Sequence, residues 1–596
     1  MKKIARLVAV LLCICMLFTS CAPVGTNGEK TADSEYSQEV QNLEKLCKVW
    51  GYVKYTHPVF LTGEKDWDTE LIALIPQVRQ AENSEATNKI LNEWLLSLGE
   101  IEYETDTPAA QWSSAKEEDK VVIADTSWIF DKKYLGEELS ANMEPLTKPL
   151  PDINRAKAPI DFVREYYSGY NQPTMLTNEK LYEDMDYSDE NYRLLGLFRV
   201  WNVMEYYSPY LDILDEDWED LLPDFIIQML QGDDQHSYDL TIAALTAKLQ
   251  DAHVTFGSNK DFIKKEFGEY LIDDVEFVSA EGEVVILQTF DESCPLQAGD
   301  IVRKLDGVDI KDVIEHQKRY LSVTTDEKIK NALQYTLLRS HSKTPEVTVV
   351  RDGEEMTFNV DASEFQGYPG PRYGVSFKDG EPKPYEIIEG NIGVINPIFM
   401  DLQPGATHAN EVKWTEAMNA LKDTDGLIVD VRQYPANSWF CLPPYFFEEP
   451  EVGLITATIS EAVPGTFLKE PVYNFNRKPR STYSYDKEVV VLIDEHSQSA
   501  SEYTAMLLRN GEKVTLMGEN TIGSNGFCLL LPIPGGNMVL YTAQGIYTPD
   551  GGQTQRIGVS PDIEVKKTIE GIKEGRDEVK EAAIAYIQEQ NSTKAK

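Results

Sequence analysis

The chain is poor in the residues that usually build metal or redox centres. Seven cysteines occur in 596 residues, and Cys13, Cys15 and Cys21 fall at the very start. The other four, Cys47, Cys294, Cys441 and Cys528, lie far apart with no CxxC spacing. That pattern supports neither a zinc site nor a disulfide framework, and no metal and no cofactor are expected. Positive charge is also scarce. Fifty-six Lys and Arg face 99 Asp and Glu, for a net charge of −43. So acidic a chain repels phosphates, which excludes nucleic acid as a partner. After the first 20 residues no run reaches the ~18 apolar residues of a membrane span. A Gly-x-Ser-x-Gly elbow is missing, which argues against an ordinary α/β-hydrolase.

What is present begins with a targeting segment. Met1-Lys2-Lys3 through Arg6 is a basic start, Leu7 to Phe18 is a short apolar run, and Leu17-Phe18-Thr19-Ser20-Cys21 resembles a bacterial lipobox. Residues 1–21 are therefore expected to be a lipoprotein signal, with Cys21 as the lipid anchor. An ordinary secretory signal is the alternative. Residues 22–40 are polar and read as a flexible tether.

An internal repeat follows. VWGYVKYTHP at 49–58 matches VWNVMEYYSP at 200–209, and Asp66-Trp67 matches Asp217-Trp218, at one offset of 151 residues. Both copies run on into helical patterns, so 41–105 and 191–270 are expected to be duplicated helical modules. Their aromatic spacing suits packing. The copies differ at one place: Asp251-Ala252-His253-Val254 in the second stands where the first has Glu100-Ile101-Glu102-Tyr103. Between the copies, 106–190 reads as a β-rich insert on strand-like Val121-Val122-Ile123 and many turn residues.

Residues 271–365 change character. Val284 to Leu287 reads as a strand, and Leu296-Gln297-Ala298-Gly299-Asp300-Ile301-Val302, with Asp306-Gly307 and a late Thr348 to Gly353 hairpin, resembles a PDZ domain. From 366 to 596, strands at 391–396, 426–431, 488–493 and 514–517 alternate with helices at 414–421 and 502–508, an α/β layer. A charged amphipathic helix is expected over 571–588. The densest local signal is 488–507: a buried strand, the polar turn Asp494 to Gln498, then Ser499-Ala500-Ser501-Glu502 opening a helix. A serine at that junction sits where free helix N–H groups can stabilise an anion. Ser499-x-x-Glu502 is equally a capping box that merely starts the helix.

The ordered set over 195–575 resembles the tail-specific, or C-terminal processing, serine peptidases and the related core of tricorn protease. It comprises Asp251-Ala252-His253-Val254, the PDZ-like module, Asp430-Val431-Arg432, the Ser499 turn, Gly518-Glu519-Asn520-Thr521-Ile522-Gly523-Ser524 and Gly558-Val559-Ser560-Pro561-Asp562. The resemblance implies a multidomain α+β protein: a duplicated helical N-terminal module, a PDZ-like β domain and an α/β peptidase domain. It also implies an extracytoplasmic, membrane-anchored serine endopeptidase acting on polypeptide. The chain departs from the family at marked positions. The processing branch carries a basic lysine where Ser524 stands, and no lysine lies between Lys513 and Lys566. The tricorn-like branch uses a histidine that matches His253, with a serine where Ala252 stands and a glutamate near Gln555.

The resemblance thus makes Ser499 the nucleophile and His253 its base, a role suited to imidazole. His253 as a satisfied helix-end residue is the plain alternative. Of the other histidines, His57, His236, His316, His341, His408 and His496, only His496 lies close to Ser499 in sequence. Gln555 would support the base but, being neutral, cannot steady an imidazolium as a carboxylate would. Asp251 is another orienter, although near neighbours on one helix face different ways. The Ala500 amide and, from the loop after Arg432, Ala436 are the expected oxyanion donors. Gly523, Ser524 and Asn525 would line the substrate cleft or form a plain turn. Two further functions stay open: a catalytically weak or inactive peptide-binding lipoprotein, and an esterase using the same dyad.

Overall fold

The computed structural model describes residues 36–160, 166–167, 170–171, 176, 178–257, 261–325, 328, 333–364, 383–400, 407–433, 435, 438–475 and 484–594. The expected signal segment, the Cys21 anchor and Ala436 lie outside the described residues. Everything below concerns the unit from Gln38 onward.

Two three-helix sets follow the repeat. The first is α1 (Gln38–Thr56), α2 (Trp67–Arg79) and α3 (Ser84–Ser97). Between the sets lie β1 (Lys120–Val122) and α4 (Lys132–Met143). The second set is α5 (Glu190–Tyr207), α6 (Trp218–Gln231) and α7 (Gln235–Ala247). Each start in the second set lies 151 or 152 residues after its counterpart. Asp66 and Asp217 cap α2 and α6 through their carboxylates, the helix starts that Asp chemistry favours.

Packing repeats with the sequence. Trp50 Nε1 donates to Trp67 O (2.9 Å), and Trp201 Nε1 to Trp218 O (3.2 Å). Lys48 pairs with Glu219, and its counterpart Arg199 pairs with Asp68, the counterpart of Glu219. Tyr55 packs against its own counterpart Tyr206 with ring centroids 5.8 Å apart. Gly51 lies so close to its counterpart Asn202 that a Cβ on the glycine would come within 1.6 Å of Asn202 Oδ1. Contacts that are reciprocal, and self-contacts between equivalent residues, are the signature of a two-fold axis. The axis passes between Gly51 and Asn202.

The segment between the copies is a correction to the expected β-rich insert. Among its described residues helix outweighs strand, turns and irregular chain make up the rest, and β1 is its one strand longer than two residues. Helical periodicity there is hidden because Gly136 (φ 76°) breaks α4.

Beyond α7 come β2 (Thr255–Phe256), β3 (Val275–Ala280), β4 (Glu283–Thr289), β5 (Ile301–Leu305), helix α8 (Ile310–Gln317), β6 (Glu346–Arg351) and β7 (Glu354–Asn359). The sheet order is β7-β6-β5-β4-β3, and its hairpin turns at Asp352-Gly353, both at positive φ as a tight hairpin requires. Its own core gathers Phe277, Val284, Ile286, Val302 and Val349.

The last region holds β8 (Tyr385–Ile388), β9 (Ile392–Ile395), α9 (Thr407–Leu421), β10 (Gly426–Asp430), β11 (Val452–Ile459), β12 (Thr466–Tyr473) and β13 (Glu488–Ile493). It continues through α10 (Ala500–Arg509), β14 (Val514–Gly518), β15 (Cys528–Ile533), β16 (Asn537–Thr542), β17 (Gln544–Tyr547), β18 (Ile563–Glu564) and α11 (Glu578–Lys594). The main sheet runs β8-β9-β10-β13-β14-β18, parallel from β9 onward. β13 is buried on both faces, as a central parallel strand is. The expected single helix over 571–588 is in fact two, because Gly575 (φ 71°) ends the first in a left-handed cap. Among the described residues no helix is long and apolar enough to cross a membrane.

Candidate active site

Two regions meet at the carboxyl ends of the parallel strands, where open α/β sheets hold their ligands. The first contribution is the β13–α10 junction. Asp494 to Gln498 makes a tight turn in which Ser497 Oγ donates to Val431 O and accepts from Asp494 N. Ser499 follows at φ 55°, ψ −115°. A non-glycine residue at positive φ is strained by about 1–3 kcal/mol and persists only where its surroundings impose it. Here Ser499 N donates to Ser524 O at 2.9 Å, and Ser499 O accepts Tyr503 N at 2.9 Å.

The side chain of Ser499 does not cap the helix. Glu502, the other half of the supposed capping box, is turned away. It accepts from Gly523 N (2.7 Å), Ser524 N (3.1 Å) and the Thr521 hydroxyl, and so holds the 521–524 loop against α10. Burial pushes the Glu502 carboxyl up to about 7, against these three donors. Among the described residues Ser499 Oγ is left without a hydrogen bond, at the first turn of a helix whose Ala500 amide is one of the unpaired N-terminal donors.

The second contribution comes from the helical region. Past α7 the chain turns through Asp251 and His253 into β2, which pairs with β16 in the register Phe256–Val539. That pairing sets His253 beside Thr542 and Ser524. Its Nδ1 lies 3.1 Å from Thr542 Oγ1 and 3.0 Å from Ser524 Oγ. Ser524 Oγ in turn donates to Asp251 Oδ1 at 2.5 Å, and His253 N donates to the same oxygen at 3.0 Å. Asp251 and His253 therefore sit in an Asx turn, not on a helix, so both reach one point. Burial pushes the His253 imidazole below its ordinary value, and the Asp251 carboxylate opposes that shift.

His253 and Ser499 share no hydrogen bond. They are joined through Ser524, whose carbonyl takes the Ser499 amide and whose hydroxyl meets the imidazole. Gln555 is buried beside them; its Oε1 accepts Asn525 N at 3.4 Å, its Nε2 has no partner among the described residues, and it makes no bond to His253. Gly523, Ser524 and Asn525, the expected cleft lining, are all buried and bonded within the chain. Gly523 could not carry a side chain, for its φ is 76° and a Cβ would lie 2.8 Å from Arg556 C. His496 turns into a separate buried cluster, with Nδ1 3.6 Å from Asp494 Oδ2. Arg432 bridges Asp430 and Asp577, tying β10 to the start of α11. Thr542 gave no sequence signal, since it stands 289 residues from the imidazole it meets.

Residues 403–565 match the profile of peptidase family S41. The match covers the sheet from β10 to β18, with Ser499 and Ser524. A carboxy-terminal-processing protease of Bartonella bacilliformis is 27% identical over 199 residues, 30% of this chain and 40% of its own length. A carboxyl-terminal-processing protease of a Synechocystis species is 27% identical over 164 residues, 26% of this chain and 34% of its own length. The chain thus spans less than half the length of these curated relatives. Mature CPAF complexed with lactacystin superposes with a TM-score of 0.51 at 14% identity, covering 67% of this chain and 99% of that one. The architecture is the multidomain α+β fold of that peptidase group, with helical and β-rich regions around one parallel-sheet core.

Proposed function

We propose that this protein is an extracytoplasmic serine endopeptidase, tethered by lipid at Cys21 and acting on polypeptide. Ser499 is the nucleophile and His253 the general base. His253 Nε2 takes the Ser499 proton as Oγ bonds to the scissile carbonyl carbon. The imidazolium then returns that proton to the leaving amine, and water hydrolyses the acyl-enzyme by the same steps. The Ala500 amide would hold the oxyanion, with Ala436 as the second donor. Gln555 supports the 524–525 loop beside the base. The PDZ-like region would present an extended chain end to the site.

One observation carries the reading. Ser499 adopts a strained conformation, leaves its own helix uncapped, and is bonded through the main chain to the residue that meets His253. A residue kept merely to start a helix would use its hydroxyl to do so. The lack of a direct Ser499–His253 bond favours a second reading, a peptide-binding lipoprotein without turnover.

A fluorophosphonate probe distinguishes them. The mature protein is expected to gain the mass of one phosphonyl group, and Ser499→Ala to gain none. A folded parent that stays unlabelled, with and without added peptide, overturns the peptidase reading.

A further inference from the structure

Gln555 is neutral and does not touch His253, so other groups must steady the imidazole. We propose that Asp251 and Ser524 are the positioning residues of the base, with the Ser524 hydroxyl relaying the Asp251 carboxylate to His253 Nδ1. This rests on the serine-peptidase reading and adds what orients its base.

Proton counting decides the direction of each bond. A serine hydroxyl has one proton and two lone pairs. Ser524 Oγ lies 2.5 Å from Asp251 Oδ1, an oxygen that already accepts His253 N, and gives its proton there. Only lone pairs then remain toward His253 Nδ1 at 3.0 Å, so Nδ1 carries the hydrogen. Thr542 Oγ1, 3.1 Å away, is a second acceptor for that N–H. With Nδ1 protonated, Nε2 is left as the basic nitrogen, and it makes no hydrogen bond among the described residues. The tautomer that can deprotonate Ser499 is thus fixed by a hydroxyl and a carboxylate in series.

Asp251 is itself held in place. Its amide donates to Ser322 Oγ at 3.0 Å, and its Oδ1 also accepts His253 N. Both Asp251 and Ser524 are buried. The carboxylate oxygen lies 3.8 Å from Nδ1, too far for a bond but near enough to stabilise an imidazolium in a dry site. It is the charged group acting on His253. The Cys528 thiol and Tyr210 phenol beside it are pushed up by burial and stay neutral. No proton moves to Asp251 during turnover: Nδ1 keeps its hydrogen while Nε2 gains and returns one. Ser524 stands where the resembling processing peptidases carry their lysine. At that position this chain supports a histidine base in place of supplying the base itself.

The test pairs 15N-histidine NMR of the full chain with fluorophosphonate labelling rates from about pH 4 to about pH 9. Parent, Asp251→Asn, Ser524→Ala and His253→Gln are compared, the last assigning the His253 signals. Asp251→Asn keeps the Oδ1 acceptor and removes the charge, putting an NH2 group where Oδ2 stood. The parent is expected to show the Nδ1–H tautomer. Asp251→Asn should label at least about tenfold more slowly, with its acidic limb moved to lower pH, because an imidazolium without its anion loses its proton more readily. Ser524→Ala should also slow labelling and weaken the tautomer bias. Parent-like rates with an unmoved limb in both variants, or an Nε2–H tautomer in the parent, overturn the relay. If Ser524→Ala does not fold, Asp251→Asn decides. An unlabelled parent would sink the Ser499 reading instead, and the imidazole tautomer and its titration in Asp251→Asn would still decide the relay.

Discussion

Helices α1 to α3 and helices α5 to α7 share one pattern, yet only the second set delivers chemistry. Past its last helix the chain turns through Asp251 and His253, and β2 then pairs with β16. The first set ends at Ser97, and Glu102, the counterpart of His253, is exposed. The fold needs two copies to bury one another across an axis, but the site needs a single tail. A duplicated scaffold leaves one tail free to diverge, and the divergent residues mark the function. The sharpest break of this comparison is a pair of matched substitutions. His253→Ala should slow fluorophosphonate labelling by about 10²–10⁴-fold, the usual worth of a general base. Glu102→Ala, at the same repeat position, should leave the labelling rate unchanged. Equal effects from the two would end the claim that the copies differ in function.

The copies also differ in how deeply they bury an equivalent ion pair. Arg199 pairs with Asp68 and Glu179, all with side chains at most 2% exposed, whereas Lys48 and Glu219 are 9% and 36% exposed. Arg199→Met removes the guanidinium shared by two buried carboxylates, leaving Lys54 paired with Glu179, and should cost about 3–5 kcal/mol. Lys48→Met breaks a partly solvated pair and should cost less than about 1 kcal/mol. Urea midpoints of the two variants measure the difference. A buried position matters next: Lys54 in α1 corresponds to Glu205 in α5. Burial, then Glu219, pushes the Glu205 carboxyl up to about 8. A carboxyl raised in the folded state contributes stability below its ordinary value, and that contribution is lost as pH rises through about 8. Glu205→Gln should therefore match the parent near pH 4 and be more stable above pH 8, by up to about 5 kcal/mol. Melting both proteins across that range checks the sign.

The duplication was legible because aromatic and acidic cap residues recur at one offset and each has a local job: Trp50 and Trp201 bond the next helix, and Asp66 and Asp217 start it. The β13 run was legible for the same reason, since a central parallel strand must be apolar on both faces. Ser499 was only half legible. Its spacing to Glu502 fits a cap, and nothing local says that Glu502 prefers the amides of Gly523 and Ser524. The partners of His253 were hidden, because Ser524 and Thr542 arrive through strand register rather than through neighbouring sequence. Likewise α4 escaped notice because Gly136 interrupts its period.

The finest test of the comparison is at the axis itself. Asn202 Nδ2 donates to Phe198 O (2.8 Å) and to Cys47 O (3.1 Å). Cys47 and Phe198 are counterparts, so one amide serves the same carbonyl in both copies. Only one asparagine fits, and Gly51 makes the room for it. Gly51→Asn alone places two amides in space for one and should cost about 1–3 kcal/mol by overpacking. Asn202→Gly alone removes both bonds, opens a void and puts a glycine inside a helix, a loss of similar size. The double swap, Gly51→Asn with Asn202→Gly, rebuilds the arrangement from the other side of the axis, where the transplanted amide meets the same two carbonyls. It should lie within about 1 kcal/mol of the parent, a coupling that a double-mutant cycle reads directly. Losses that simply add would mean that the two copies are packed without a true two-fold relation.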